Sequence, residues 1–304
     1  MSSSKVAIII PYFGRFPIWM DLYLYSCSRQ ENVDFLFYTD CDFSNYNKYK
    51  NIVFISITYG DYCKKISSFL NIDFCPENPY KIVDVRPFLG MLHDDDLVNY
   101  DWWGYADIDV LYGDLSILIN SKNLHRYDVI TTHADRLAGH FTIIRKASRY
   151  TQMGYNIDKW RTKLEDPRGL GVDEHDFTKV IRPGVTTWFR VYRFINKIVK
   201  IDLYDFFTVP NLILRTFSRI HIKEYNTSDR PKDGEVWVYD IDKCSLITPQ
   251  GKKLPYLHFL FFKKTPFWNP KNYWKDDYWK IDCIASSGRV LISNKKVVYE
   301  SESC

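Results

Sequence analysis

The sequence predicts an α/β fold, a doubly wound mixed sheet flanked by helices. Short apolar runs rich in β-branched and aromatic residues alternate with stretches of helical spacing. Several of these runs close on Pro or Asp, where the carboxyl end of a strand meets a loop. A chain of 304 residues suits one large α/β domain with an insertion, or two smaller domains. The absence of an internal repeat or low-complexity linker favours one domain over residues 1–304.

Val6 to Ile10 is a continuous β-branched run closed by Pro11, the pattern of a buried parallel strand. Helical spacing follows over Phe16 to Ser28, after Pro17. Val33 to Asp40 and Ile52 to Ile57 read as the second and third strands. A helix is expected over Tyr62 to Leu70, and another from about Arg86 or Pro87 to His93. The strand Trp102 to Ala106 comes next, and Asp128 to Thr132 and His140 to Ile144 read as two more. A basic, aromatic amphipathic helix is expected between about Thr186 and Lys200, within a helical insertion near 185–230. Glu235 to Tyr239 and Tyr256 to Phe262 read as strands, and Arg289 to Tyr299 as a hairpin around Ser293-Asn294. In such sheets ligands sit beyond the carboxyl ends of strands, so Pro11, Asp40 and Asp107 are expected to converge on one crevice.

Composition excludes some functions. The net charge of +4 is small and evenly spread, which argues against nucleic-acid binding. An aromatic share of 17% suits sugar rings and nucleobases, though it also suits cores. The seven Cys are scattered, with no CxxC and no zinc-like grouping with His, which points to a reducing compartment. No apolar stretch reaches the roughly 18 residues of a membrane span. The expected location is the cytoplasm, with any membrane contact peripheral and at the inner face.

The segment Tyr100 to Leu115 is the most informative. It reads as an apolar strand ending in Asp107 and Asp109, with Ile108 between them facing the core. Two carboxylates so placed offer hard oxygen ligands to one divalent cation, whose open positions commonly take nucleotide phosphates. Asp-x-Asp is a cheap pattern that recurs at Asp40/Asp42, Asp94/Asp96 and Asp240/Asp242. The aromatic and small residues leading in, and the Gly113-Asp114 turn after it, single out Asp107/Asp109. His258 lies in the apolar run Tyr256 to Phe262; such a His is commonly structural, but beside two carboxylates it completes a Mn²⁺ or Mg²⁺ site. Lys264 follows, suited to neutralising a diphosphate. In Gly169 to Phe177, Asp173 or Glu174 is the candidate base or charge stabiliser, the alternative being an acidic helix N-terminus.

Asp107-Ile108-Asp109 with the late His258-Phe259 and Lys264 resembles the GT-A fold nucleotide-sugar glycosyltransferases. Glycogenin-like and bacterial lipopolysaccharide galactosyltransferase families carry a late His-Phe-x-Gly-x-x-Lys-Pro-Trp segment that supplies a third metal ligand and a phosphate-binding Lys. Here Phe261 stands where that Gly would be, and Thr265-Pro266-Phe267-Trp268 only loosely echoes Pro-Trp. Ile10-Pro11-Tyr12-Phe13-Gly14 and Gly139-His140-Phe141-Thr142 are similar to segments of small bacterial enzymes of capsule and O-antigen assembly. The resemblance spans residues 8–14, 38–40, 80–87, 102–115, 139–145 and 256–264.

The resemblance implies a GT-A, Rossmann-like sheet, with residues 1–120 binding the nucleotide sugar and 121–304 facing the acceptor. It implies that Pro11, Tyr12, Phe13 and Asp40 frame the nucleobase and ribose, although Tyr12 and Phe13 serve equally as core. It places Lys81, Asp84 and Arg86 beside the donor sugar and diphosphate, the alternative being a local salt bridge. The implied reaction is transfer of a hexose from a UDP-sugar, such as UDP-galactose or UDP-glucose, to a glycan or glycolipid acceptor in surface-polysaccharide assembly. Basic aromatic stretches at Trp188 to Lys200 and Phe262 to Trp279 would present the enzyme to lipid-linked acceptors, or are ordinary helices. Two other readings are a metal-dependent nucleotidyltransferase or phosphoesterase, and an inactive carbohydrate-binding protein. The first usually needs a Gly-rich phosphate loop after strand one, for which Gly14-Arg15 is a poor substitute.

Overall fold

The computed structural model describes residues 4–183 apart from 47, then 194, 195, 198, 218–229, 231–258, 279, 280 and 287–301. Its main sheet contains β1 (Val6–Pro11), β2 (Val33–Thr39), β3 (Ile52–Ser56) and β4 (Trp102–Ala106). After β4 the chain forms β5 (Val110–Tyr112), β6 (Val129–Thr131), β7 (Phe141–Arg145) and β8 (Ile220–Ile222). The strand order is β3-β2-β1-β4-β7-β6-β8, with β5 outside it. Strands β3, β2, β1 and β4 are mutually parallel, and β7 runs antiparallel to both β4 and β6. This is the helix-flanked α/β sheet that the alternating pattern predicts, and the antiparallel β7 makes it mixed. The chain leaves β1 towards β2 on one side and returns on the other side as β4. The order therefore reverses between β1 and β4, and a crevice opens beyond their carboxyl ends.

Alternation along β1 populates both faces of the sheet. Val6, Ile8 and Ile10 pack on the side of α1 (Met20–Ser28), and Ala7 and Ile9 on the side of α2 (Tyr59–Leu70). Each such buried Val or Ile contributes about 1.5–3 kcal/mol of transfer free energy. Helix α2 starts earlier than its apolar spacing suggests because Thr58 caps it: the Thr58 hydroxyl accepts from Asp61 N at 3.1 Å. Asn71 ends it in the left-handed region at φ 52°. Helix α1 begins at Met20 rather than Phe16, as Trp19 is anchored by donating its indole N–H to Ile108 O at 2.8 Å.

The helix expected from Arg86 or Pro87 differs in kind. Residues Pro79–Phe88 form 3₁₀ turns, and only Leu89–Leu92 are α-helical. Pro87 lacks the N–H that a regular α-helix would use there. A 3₁₀ turn superposes positions i and i+3, which puts Lys81 and Asp84 on one face.

The C-terminal part builds a second sheet. It comprises β9 (Trp237–Asp240), β10 (Ser245–Ile247) and β11 (Lys253–Leu254), then, past β12 (Tyr256–His258), β13 (Trp279–Lys280), β14 (Arg289–Ile292) and β15 (Val297–Glu300). Trp237, Tyr239, Leu246, Val290 and Ile292 join the same buried cluster as α1, so this sheet caps that face. Strand β12 instead pairs antiparallel with β5. Within the insertion expected to be helical, Ile220–Ile222 are a strand, β8, parallel to β6. An otherwise open sheet edge gains a partner there. The rest of the expected helix from Thr186 to Lys200 lies outside the described residues, apart from 194, 195 and 198, as do Phe259 to Phe262. Among the described residues no helix is long and apolar enough to cross a membrane.

Candidate metal centre

Asp107 leaves the end of β4 and Asp109 precedes β5. Between them Ile108 is buried in the core and its carbonyl is held by Trp19. Fixing the middle residue turns both carboxylates to the same side. The third member arrives through β12, where His258 lies opposite Val110 in the register with β5. His258 N donates to Thr227 O at 2.7 Å, its Nδ1 lies 3.0 Å from Ser228 Oγ, and its ring stacks on His140 with centroids 4.1 Å apart. With Nδ1 engaged, Nε2 is the nitrogen presented to the acids. It lies 3.5 Å from Asp109 Oδ2 and 3.8 Å from Asp107 Oδ2.

One ligand atom from each of Asp107, Asp109 and His258 falls within 4.8 Å of the others. Two hard oxygens and one borderline imidazole nitrogen fit Mn²⁺ or Mg²⁺ in donor type. The Ser228 contact and the stacked His140 supply the outer support that orients a ligating imidazole. Burial, with His258 and His133 beside it, pushes the His140 imidazole well below its usual range, so that ring stays neutral.

Arg86 joins this group to a second acidic pair. One end of its guanidinium is ion-paired to Asp107 Oδ1 and the other donates to Asp173 Oδ2 at 2.8 Å. Burial works against the Arg86 charge, but Asp107 and Asp173 more than restore it and raise its pKa. Burial drives the Asp173 carboxyl up to about 6; Arg86 opposes this and Glu174 adds to it. Glu174 accepts from Gly139 N at 2.9 Å and lies 3.4 Å from Arg136 Nε. Gly139 is a required small residue: a Cβ there would stand 3.0 Å from each of Arg86 Nη1, Asp173 Oδ2 and Glu174 Oε1. Asp107, Asp109, His258, Arg86, Asp173 and Glu174 thus form one continuous group.

The other expected site residues divide. Lys81 and Asp84 are turned inward and bonded to each other, the local salt bridge named as the alternative. Lys81 is 1% exposed and its ammonium donates to Asp84 Oδ2 at 2.9 Å, Lys163 O at 2.7 Å and Arg168 O at 2.8 Å. Asp84 also accepts from Leu170 N at 2.9 Å and Val172 N at 2.8 Å. All three ammonium hydrogens are used inside the protein, because the 3₁₀ turn faces the pair inward. The pair pins the loop that leads into Asp173. Phe13 is likewise core, packed against Tyr59 and Tyr62. Asp40 is exposed at the end of β2, where it accepts from Gly14 N at 2.8 Å in the loop after β1. Gly14 sits at φ 105°, a conformation that favours glycine. Pro11 ends β1, and Tyr12 donates to Arg15 O at 2.8 Å. Burial, then Cys41 and Asp109, push the Tyr12 phenol up to about 12. Lys264 lies outside the described residues. Ser228, which orients His258, carries no sequence signal, whereas Gly139 stands in the Gly-His-Phe-Thr stretch already noted.

Residues 8–276 match the profile of a family of unknown function (DUF6625). Comparison with curated proteins returned no match. Among solved structures, a galactosyltransferase, LgtC, in complex with donor and acceptor sugar analogs is similar at 12% identity and a TM-score of 0.35, over 58% of this chain and 70% of that one. The glycosyltransferase GlyE of Streptococcus pneumoniae TIGR4 is similar at 11% identity and a TM-score of 0.28, over 74% of this chain and 56% of its own.

Proposed function

The chain belongs to this family of unknown function, DUF6625, and we propose that it is a metal-dependent glycosyltransferase. It moves a sugar from a nucleotide donor, a UDP-hexose such as UDP-galactose or UDP-glucose, to a glycan or glycolipid acceptor in surface-polysaccharide assembly. The observation that carries this reading is the meeting of Asp107, Asp109 and His258 at the carboxyl end of β4, beside the point where the strand order reverses. A Mn²⁺ or Mg²⁺ ion held there would offset the negative charge of a departing diphosphate.

The chain's own residues supply the remaining roles. Tyr12 and Asp40, on the loops after β1 and β2, would frame a base and a ribose, the carboxylate accepting from sugar hydroxyls. Pro11 ends β1 at the same crevice, and Lys264 is assigned to the diphosphate. Asp173 is the carboxyl suited to exchange a proton near neutral pH: burial has raised it into that range while Arg86 fixes its orientation. Glu174, anchored to Gly139 N, is the companion carboxylate that stabilises positive charge on the sugar. A lipid-linked acceptor would bring the enzyme to the inner face of the membrane.

The test is nucleotide release from a panel of UDP-, GDP- and CMP-sugars with Mn²⁺, comparing the native chain with Asp109→Ala. Release of one nucleotide that depends on Mn²⁺ and falls by about 100-fold or more in the variant is expected. No release from any nucleotide sugar, or release indifferent to Asp109→Ala, would refute the reading.

A further inference from the structure

Asp107 has two claimants. Its Oδ2 faces His258 Nε2 at 3.8 Å, within the metal-ligand group, while its Oδ1 is ion-paired to Arg86. The Arg86 side chain is 11% exposed and is tied at its other end to Asp173, itself 4% exposed. It also lies over the Tyr105 ring, 5.5 Å from the centroid. The guanidinium is thus held on three sides, by Asp107, Asp173 and the Tyr105 ring.

We infer that Arg86 makes divalent-cation binding at Asp107, Asp109 and His258 conditional on a nucleotide diphosphate. This rests on the reading of the site as a metal–nucleotide centre. A cation bound there takes a carboxylate already shared with a fixed positive charge. In so buried a place the repulsion between the two cations is weakly screened. A diphosphate adds negative charge beside both cations and offsets that repulsion. Metal and nucleotide then strengthen each other's binding, and by linkage each does so by the same factor. Such coupling prevents the centre from filling with metal before the donor arrives.

The charges suggest a discriminating variant. Arg86→Gln alone strands the buried Asp173. Arg86→Gln with Asp173→Asn removes one positive and one negative charge together, leaving the net charge of the group unchanged and Asp107 released. Any gain in metal affinity in the double variant then reports the release of Asp107.

The experiment is a Mn²⁺ titration of the full chain, read by the paramagnetic resonance signal of free Mn²⁺, with and without saturating UDP. Native protein is expected to bind Mn²⁺ weakly alone and about tenfold or more tightly with UDP. The double variant is expected to bind Mn²⁺ alone about tenfold more tightly than native, with a smaller gain from UDP. Arg86→Lys, which keeps the charge, is expected to stay close to native. Native protein that binds Mn²⁺ equally well without UDP would overturn the inference, and so would a folded double variant with unchanged or weaker affinity. A native protein that fails to bind Mn²⁺ even with UDP, or whose binding ignores Asp107→Asn, overturns the metal–nucleotide reading itself.

Discussion

Replacing Gly139 by alanine adds one methyl at the tightest point of the acidic group. Gly139 is not among the glycines with positive φ, so its backbone conformation does not exclude a side chain. Space does. The new Cβ would meet Arg86 Nη1, Asp173 Oδ2 and Glu174 Oε1, each at 3.0 Å. Ordinary contacts are near 3.5 Å, so each neighbour must withdraw by about 0.5 Å. None is at liberty to do so, since Arg86 is tied to Asp107 and Asp173, and Glu174 is bonded to Gly139 N. Overpacking of this kind costs about 1–3 kcal/mol in stability. Misplacing reacting groups by about 1 Å costs roughly 100-fold in rate, so a shift of this size is expected to lower kcat about tenfold. Nucleotide release with Mn²⁺ and whichever nucleotide sugar the panel identifies gives kcat, and denaturant unfolding gives the stability. Native kcat together with native stability in Gly139→Ala would refute the argument that these three side chains are held in place around the glycine.

Two further outcomes test the surrounding framework. Lys81→Met leaves Asp84 buried beside two uncompensated carbonyls, Lys163 O and Arg168 O, and is expected to cost about 3–5 kcal/mol by denaturant titration; a loss under about 1 kcal/mol would show that the pair does not pin the 163–172 segment. His93, 1% exposed between Tyr62, Lys65 and Asp96, is pushed down to about 4 by burial, with Asp96 opposing and Lys65 adding. The folded state then disfavours its protonated form, so stability is lost as pH falls below about 6.5 towards about 4. The loss by pH 5 is on the order of 2 kcal/mol and should shrink by that amount in His93→Asn, measured as the difference in unfolding free energy between pH 7 and pH 5. An undiminished loss in the variant would assign the pH dependence to other groups. Asp96 is held down to about 2, chiefly by His93, so its own contribution is lost only at lower pH, outside that window.

Much of the framework was legible in local pattern. The β-branched run from Val6 and the aromatic run from Val33 need burial on both faces, and both are inner strands of the main sheet. Asp107 and Asp109 were legible because spacing by two puts both on one side of an extended segment while Ile108 takes the core. The ends of elements were less legible, because caps decide them. Thr58 sets the start of α2 through one hydroxyl, and Pro87 keeps the turns before Leu89 from becoming α-helix.

Local sequence therefore controls what a residue and its near neighbours can set: which runs are buried, which strand ends in carboxylates, and which residue types have metal-ligand chemistry. The tertiary structure alone decided who meets whom. His258 reaches Asp109 only because β12 pairs with β5, and no local period encodes that register. Arg86 reads as a cation grouped with Lys81 and Asp84 until folding sets Asp107 at one end of it and Asp173 at the other. Lys81 and Asp84 have the chemistry to bind a substrate. The turn that carries them faces inward, and a buried charge is stable only when its partners are fixed around it, so the fold gives them to each other and to the loop before Asp173.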